Sequence, residues 1–249
     1  MASGSARAGQ DGAAPLKVKL FVGSVARLEW ALDNGCPSGW TCAHAAAGGR
    51  VEVLRWARKH GCDWNELTCA WAAKGGHLEV LKWARKHGCP WEEVYVDEDE
   101  DYSKYTTNCC ALAAQGGHLE VLKWLHEHDC PWDEYTCEWA AESGNLEVLK
   151  WAWEHGCPWR EDIEDTYNHD CCSLAAQGGH LEVLKWLRQH DCPWDDKTCE
   201  MAAASGYLEV LGWAREYDCP WDMTTCGAAA QGRAPGGVEV GPGAPLPVG

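Results

Sequence analysis

Phenylalanine is all but missing: one residue in 249, against 17 tryptophans. A core assembled position by position draws on both, so this bias points to a few Trp positions copied many times. Also lacking is any run near the 18 apolar residues that a membrane span needs. Residues 1 to 14 are Gly, Ala and Ser with no apolar stretch of the kind a secretory signal carries. Basic residues are scarce too, 21 Lys and Arg against 38 Asp and Glu, for a net charge of −17. Neutralising nucleic-acid phosphates takes clustered Lys and Arg, so the composition argues against nucleic acid and against anionic membranes. A protein partner with a basic surface is the better match.

What is there in quantity is cysteine, 16 residues. In a short secreted chain that number implies a disulfide framework, but here the cysteines recur once or twice per repeated unit. They read as small buried hydrophobes in a reducing, intracellular compartment, cytoplasmic or nuclear.

The repeat itself is plainest at Gly116-Gly117-His118-Leu119-Glu120-Val121-Leu122-Lys123-Trp124-Leu125. As a helix this stretch has apolar residues around more than half its circumference, too broad a surface to bury without neighbours on both sides. Close copies begin at Gly75, Ser143, Gly178 and Ser205, a looser one at Gly48 and a worn one at Gly23. The marker glycines are Gly49, Gly76, Gly117, Gly144, Gly179 and Gly206, at intervals of 27, 41, 27, 35 and 27. A 27-residue unit therefore alternates with the same unit carrying 14 or 8 extra residues, as if a two-repeat cassette had been copied three times.

Within a unit, Thr136-Cys137-Glu138-Trp139-Ala140-Ala141-Glu142 predicts a short first helix with Thr136 as its N-cap. Gly144 makes the turn, and a second helix runs from about Leu146 to His155. Gly156, or Asp129, Asp191 and Asp218 in sister units, supplies the left-handed residue that ends it. The expected fold is all-α: a helix-turn-helix solenoid of about six full repeats plus degraded terminal ones. It occupies residues 16–232, between disordered segments 1–15 and 233–249.

Ala113-Ala114-Gln115-Gly116-Gly117-His118-Leu119-Glu120-Val121-Leu122, with a small residue (Cys130) after the helix end, resembles the ankyrin repeat. The resemblance covers roughly residues 16–232. Two departures stand out. The family's Thr-Pro-Leu-His opening is here Thr68-Cys69-Ala70-Trp71, and its unit of about 33 residues is shortened to 27. The missing residues fall in the β-hairpin finger, which is expected only at the two lengthened junctions, 92–107 and 160–170. The resemblance implies a protein-binding scaffold without catalysis, using the fingers and the concave first-helix face.

The candidate sites follow from what varies among near-identical units. The position two after the first-helix Cys reads His44, Trp71, Leu112, Trp139, Leu174 and Met201. In the resembling family this position is exposed on the concave face, which would make an apolar and aromatic stripe suited to interface hot spots. In a tilted, shortened unit the same row would be buried, and the sequence leaves both arrangements open. The lengthened junctions add Asp97, Glu98, Asp99, Glu161 and Asp162 as an acidic edge for a basic partner.

The second-helix row Trp56, Trp83, Trp124, Trp151, Trp186 and Trp213 is expected to pack between repeats, each truncation costing about 3–5 kcal/mol. The Cys rows (Cys42, Cys69, Cys110, Cys137, Cys172, Cys199 and Cys62, Cys89, Cys130, Cys157, Cys192, Cys219) raise a metal-binding or redox alternative. Their spacing is not that of paired zinc ligands, and neighbouring cysteines on a helix are expected to point apart. No Ser-His-Asp or Cys-His-Asn set stands outside the repeat, so neither an enzyme nor a cofactor is expected.

Overall fold

The computed structural model describes residues 22–35, 38, 40–91, 94–96, 105–159, 170–221 and 223–231. The chain divides into two compact units, Met1–Trp91 and Glu92–Gly249. In the first lie α1 (Val25–Asp33), α2 (Thr41–Ala47), α3 (Val51–Lys59), α4 (Glu66–Lys74) and α5 (Leu78–Lys86). The second opens with a two-stranded antiparallel hairpin, β1 (Val94–Val96) and β2 (Tyr105–Thr107), in the register Val94 to Thr107. Helices α6 (Cys109–Gln115), α7 (Leu119–Glu127), α8 (Glu134–Glu142), α9 (Leu146–Glu154) and α10 (Cys171–Gln177) follow. Then come α11 (Leu181–Gln189), α12 (Asp196–Ala204), α13 (Leu208–Glu216) and α14 (Met223–Gln231).

Each unit is a helical repeat solenoid. First helices stack on first helices: α2 on α4 in one unit, and α6, α8, α10, α12 and α14 in series in the other. Their facing residues are small. Ala45 and Ala46, Ala72 and Ala73, Ala113 and Ala114, Ala140 and Ala141 are all fully buried, which lets the backbones approach closely. Each second helix packs on the first helix of its own repeat and turns Val and Leu inward, as Val80, Leu81 and Ala84 do in α5. Successive second helices touch each other far less, and the wider gap between them is where larger side chains fit.

The turn between the paired helices has a specific reason for glycine. Gly49 sits at φ +68°, and a Cβ there would lie 2.6 Å from the imidazole of His77 in the next repeat. His77 Nε2–H donates to the Ala47 carbonyl at 3.0 Å, so the imidazole closes one repeat against the next. Asn145 does the same through Nδ2, to Ala114 O at 2.9 Å and Gln115 O at 3.1 Å. At the far end of the second helix, Gly61, Gly88 and Gly156 take φ near +80°, and Asp129, Asp191 and Asp218 take +56°, +57° and +60° as expected.

Two local expectations need correction. Helix α8 starts at Glu134 with Asp133 as N-cap; Thr136 is its third residue and is fully buried. Asp at position 133 holds the extended backbone of a cap (φ −146°, ψ −171°), which leaves Thr136 facing inward. Second, the Trp124-type indoles are half-buried along the flank of the stack. The space between layers is filled by Leu, Val, Ala and Cys. Cys171 and Cys172 leave α10 in directions roughly 100° apart, and both thiols reach Cys192, which sits between those directions. The finger hairpin forms at the first lengthened junction. The second junction, 160–169, and segments 1–15 and 233–249 lie outside the described residues.

Candidate functional site

The first-helix row is neither an open stripe nor a buried seam. His44 (7% exposed), Leu112 (2%) and Leu174 (8%) are buried, whereas Trp71, Trp139 and Met201 are half-buried. The alternation follows the two-repeat cassette: within each cassette one member fills the stack and the other reaches solvent. His44 Nδ1–H donates to Trp40 O at 2.9 Å, which turns the ring edge-on to Trp71 at 5.0 Å, while Trp40 stacks on Trp71 at 5.9 Å. The Trp71 indole is thus held in place by two neighbours and presents the rest of its surface outward. The acidic candidates Asp97, Glu98, Asp99, Glu161 and Asp162 lie outside the described residues.

A second surface, not anticipated from the sequence, runs along the second helices. Each second-helix Trp stacks on the residue four later: Trp56 on His60 at 3.9 Å, Trp151 on His155 at 4.1 Å, Trp186 on His190 at 4.1 Å. The histidine is fixed in turn by its Nδ1–H, which donates to that Trp's carbonyl, at 2.8 Å for His155. The loop Trp of one repeat meets the helix Trp of the next: Trp64 with Trp83 at 5.9 Å, Trp132 with Trp151 at 6.0 Å, Trp194 with Trp213 at 6.0 Å.

Six residues before each loop Trp stands the group that covers it. Arg58 lies over Trp64 at 4.2 Å, Arg85 over Trp91 at 3.9 Å, Arg188 over Trp194 at 4.3 Å and Arg215 over Trp221 at 3.9 Å. Three of these guanidinium groups also donate to the carbonyl of the loop Cys: Arg58 to Cys62 at 2.9 Å, Arg85 to Cys89 at 3.4 Å, and Arg188 to Cys192. In the remaining two repeats the position is His126, stacked on Trp132 at 4.2 Å, and Trp153, stacked on Trp159 at 5.8 Å. The sequence signal for this surface was the variation Arg, Arg, His, Trp, Arg, Arg at a fixed distance before a constant Trp.

The thiols are core. Among the described residues every cysteine but Cys226 is a buried thiol. Loop thiols close each repeat onto its own first-helix cap: Cys89 donates to Asn65 O at 3.5 Å, Cys157 to Asp133 O at 3.3 Å and Cys219 to Asp195 O at 3.4 Å. Burial and the neighbouring Cys62 push the Cys42 thiol up to about 12. In the Cys171, Cys172 and Cys192 trio, hydrogen bonds from the other two thiols hold Cys192 below the ordinary thiol range, against its burial. Among the described residues no three His, Cys, Asp or Glu side chains are placed to hold a metal ion.

Polar caps of α6 and α10 form a buried pair of equivalent sites. Asn108 Oδ1 accepts the Ala111 N–H at 2.8 Å while its Nδ2 donates to Asp133 Oδ1 at 2.9 Å. Asp170 stands in the same place in the next cassette. Its Oδ1 accepts the Ser173 N–H at 2.7 Å, but it faces the Asp195 carboxylate without an amide to offer. Burial first, then Asp195 and Cys192, raise the Asp170 carboxyl to about 6, with the Ser173 and Cys172 N–H groups opposing.

Residues 42–85 and 69–126 match the family model described as ankyrin repeats (many copies). Among curated proteins none matches the chain. Of solved structures, the human ASB11 ankyrin repeat domain is similar, with a TM-score of 0.52 and 16% identity. That match covers 72% of this chain and 83% of the other. At that identity the likeness speaks for the fold alone. The resemblance read from the Ala-Ala-x-x-Gly-His-Leu-Glu word therefore holds: residues 42–126 match the ankyrin-repeat model, and the helical stack has the fold of an ankyrin repeat domain. Such repeats are in general protein-interaction modules and typically non-enzymatic. No described helix is long and apolar enough to cross a membrane.

Proposed function

We propose that this ankyrin-repeat chain is a non-enzymatic scaffold that binds a basic protein through its first-helix row and its acidic junction loops. The observation that carries the reading is a first-helix row that varies, mostly among large apolar and aromatic residues, within near-identical repeats. Every second member of that row, Trp71, Trp139 and Met201, is half-exposed. A large aromatic held rigid by its neighbours loses little entropy on binding, which is why such residues dominate interface energetics. His44, Leu112 and Leu174 set the height of the row from beneath.

The loop carboxylates Asp97, Glu98, Asp99, Glu161 and Asp162 serve in this reading as a docking edge. Exposed charges of this kind steer association and set its salt dependence more than they set affinity. The net charge of −17 favours a basic protein over nucleic acid or anionic lipid. An intracellular setting, cytoplasmic or nuclear, fits fourteen buried thiols among the described residues.

The test replaces Trp71 and Trp139 with Ala and compares the proteins retained in an affinity purification, with thermal melts as a control. Loss of the partner while the melting temperature holds supports the row. Unchanged partners at unchanged stability count against it.

A further inference from the structure

We infer that the exposed indole of Trp153, on the second-helix side of the stack, is a docking point for an arginine side chain of the protein partner. The repeats themselves show which group fits against this flank. Where the loop Trp is covered by the chain's own residue, four repeats use a guanidinium, stacked at 3.9–4.3 Å. A planar delocalised cation on an indole face is a favourable pairing, and more so for Arg than for Lys.

At Trp153 the chain withdraws its own guanidinium and puts an aromatic in its place. Trp153 stacks on Trp159 at 5.8 Å with planes 20° apart. It meets Trp186 edge-on at 5.7 Å and His190 edge-on at 4.6 Å. One ring face is therefore occupied and one edge is fixed, yet 37% of the residue remains exposed. Among the described residues no cation is stacked on this indole, whereas the exposed Trp221 already carries Arg215 at 3.9 Å.

The described charge beside the ring is complementary to an incoming cation: Glu154, the next residue, is exposed. The lysines of α9 and α11 are committed within their own helices, Lys150 to Glu147 at 3.4 Å and Lys185 to Glu182 at 2.7 Å. The flank thus offers a rigid aromatic platform with a carboxylate next to it, one ring further out than the place its sister repeats fill with their own arginine. This rests on the proposed protein-binding role, and it places a contact on the side away from the first-helix row.

The experiment uses the full chain and a labelled peptide of alternating Arg and Gly, with a Lys-Gly peptide of equal charge as comparison. Binding is followed by fluorescence anisotropy near physiological salt. Two variants are informative. Trp153→Arg installs the residue that four sister repeats carry, so its fold is retained while the aromatic platform is lost. Trp153→Gln removes the ring without adding charge. The expected result is tighter binding of the Arg peptide than of the Lys peptide, with both variants weakening the Arg peptide about 2- to 30-fold. Met223→Ala, at an exposed residue outside both surfaces, is expected to leave the peptide affinity unchanged; Trp139→Ala is read by partner capture, which reports on the first-helix row separately. The inference is overturned if the two peptides bind alike, if neither binds, if both Trp153 variants bind as the parent does, or if Met223→Ala weakens the peptide as much as they do.

Discussion

Replacing Asp170 with Asn should make the protein more stable at neutral pH, although it removes a charge from a helix N-terminus, where charge is usually welcome. Asp170 caps α10, is 3% exposed, and faces Asp195 with no amide between the two carboxylates. Burial, reinforced by Asp195, raises its carboxyl from 3.8 to about 6. Between those two pH values the folded chain holds a proton that the unfolded chain has lost. Stability contributed by this group therefore falls as pH rises through that window and is flat above it. At about 1.4 kcal/mol per pH unit, the ionised side chain costs on the order of 3 kcal/mol at pH 7. Asn caps a helix about as well as Asp does, and Asn108 shows what the amide does here: it donates to Asp133 Oδ1 at 2.9 Å. The expected outcome for Asp170→Asn is a gain of about 1–3 kcal/mol near pH 7, with little change near pH 4. Urea denaturation followed by circular dichroism at both pH values measures it. A variant no more stable than the parent at neutral pH, with the same loss of stability between the two, would refute the reasoning.

Other perturbations have comparably definite outcomes. Asp129, Asp191 and Asp218 each hold a left-handed backbone that Gly adopts without a Cβ penalty. Changing any one to Gly should raise stability by about 0.5–1 kcal/mol in urea denaturation, less than the full penalty because Gly also loosens the unfolded chain. Gly49→Ala should destabilise by about 2 kcal/mol or more, since it combines a strained φ with a contact of 2.6 Å to His77. Pairing it with His77→Ala should recover part of the loss in a double-mutant cycle. Trp124→Ala should cost about 2 kcal/mol in thermal or urea unfolding, below the 3–5 kcal/mol of a fully buried Trp, because the indole is half-exposed.

The repeat was legible because its punctuation is chemical. Glycines at Gly49, Gly117, Gly144 and Gly179 are required by the next repeat's side chain, so they recur without drift and mark out the unit. Asp129, Asp191 and Asp218 were readable as helix ends for the same reason: few residues with a Cβ tolerate that conformation. The boundary between core and flank was harder. Leu122 and Trp124 are both apolar on a broad helical stripe, and the pattern does not say where the stripe ends. Side-chain size decides it, since closely spaced layers accept Leu, Val and Cys while an indole fits only where the second helices stand apart. Thr136 read as a cap because its type suits one, but Asp133, three residues earlier, competes for the role and wins. The contacts of Arg58 with Trp64, or Trp153 with Trp159, span six residues through a loop and obey no helical spacing, so no periodicity announces them. Whether His44 or Trp71 faces out depended on the packing of neighbouring first helices, which the one-letter pattern does not contain.

The account's central claim is that the constant positions build the stack, and the cysteine rows test this most directly. Thiol titration of the native chain with a water-soluble reagent should show fast reaction at Cys226, with the fourteen buried thiols of the described residues reacting only after denaturation. A native burst of many thiols, one or two for every repeat, would contradict it.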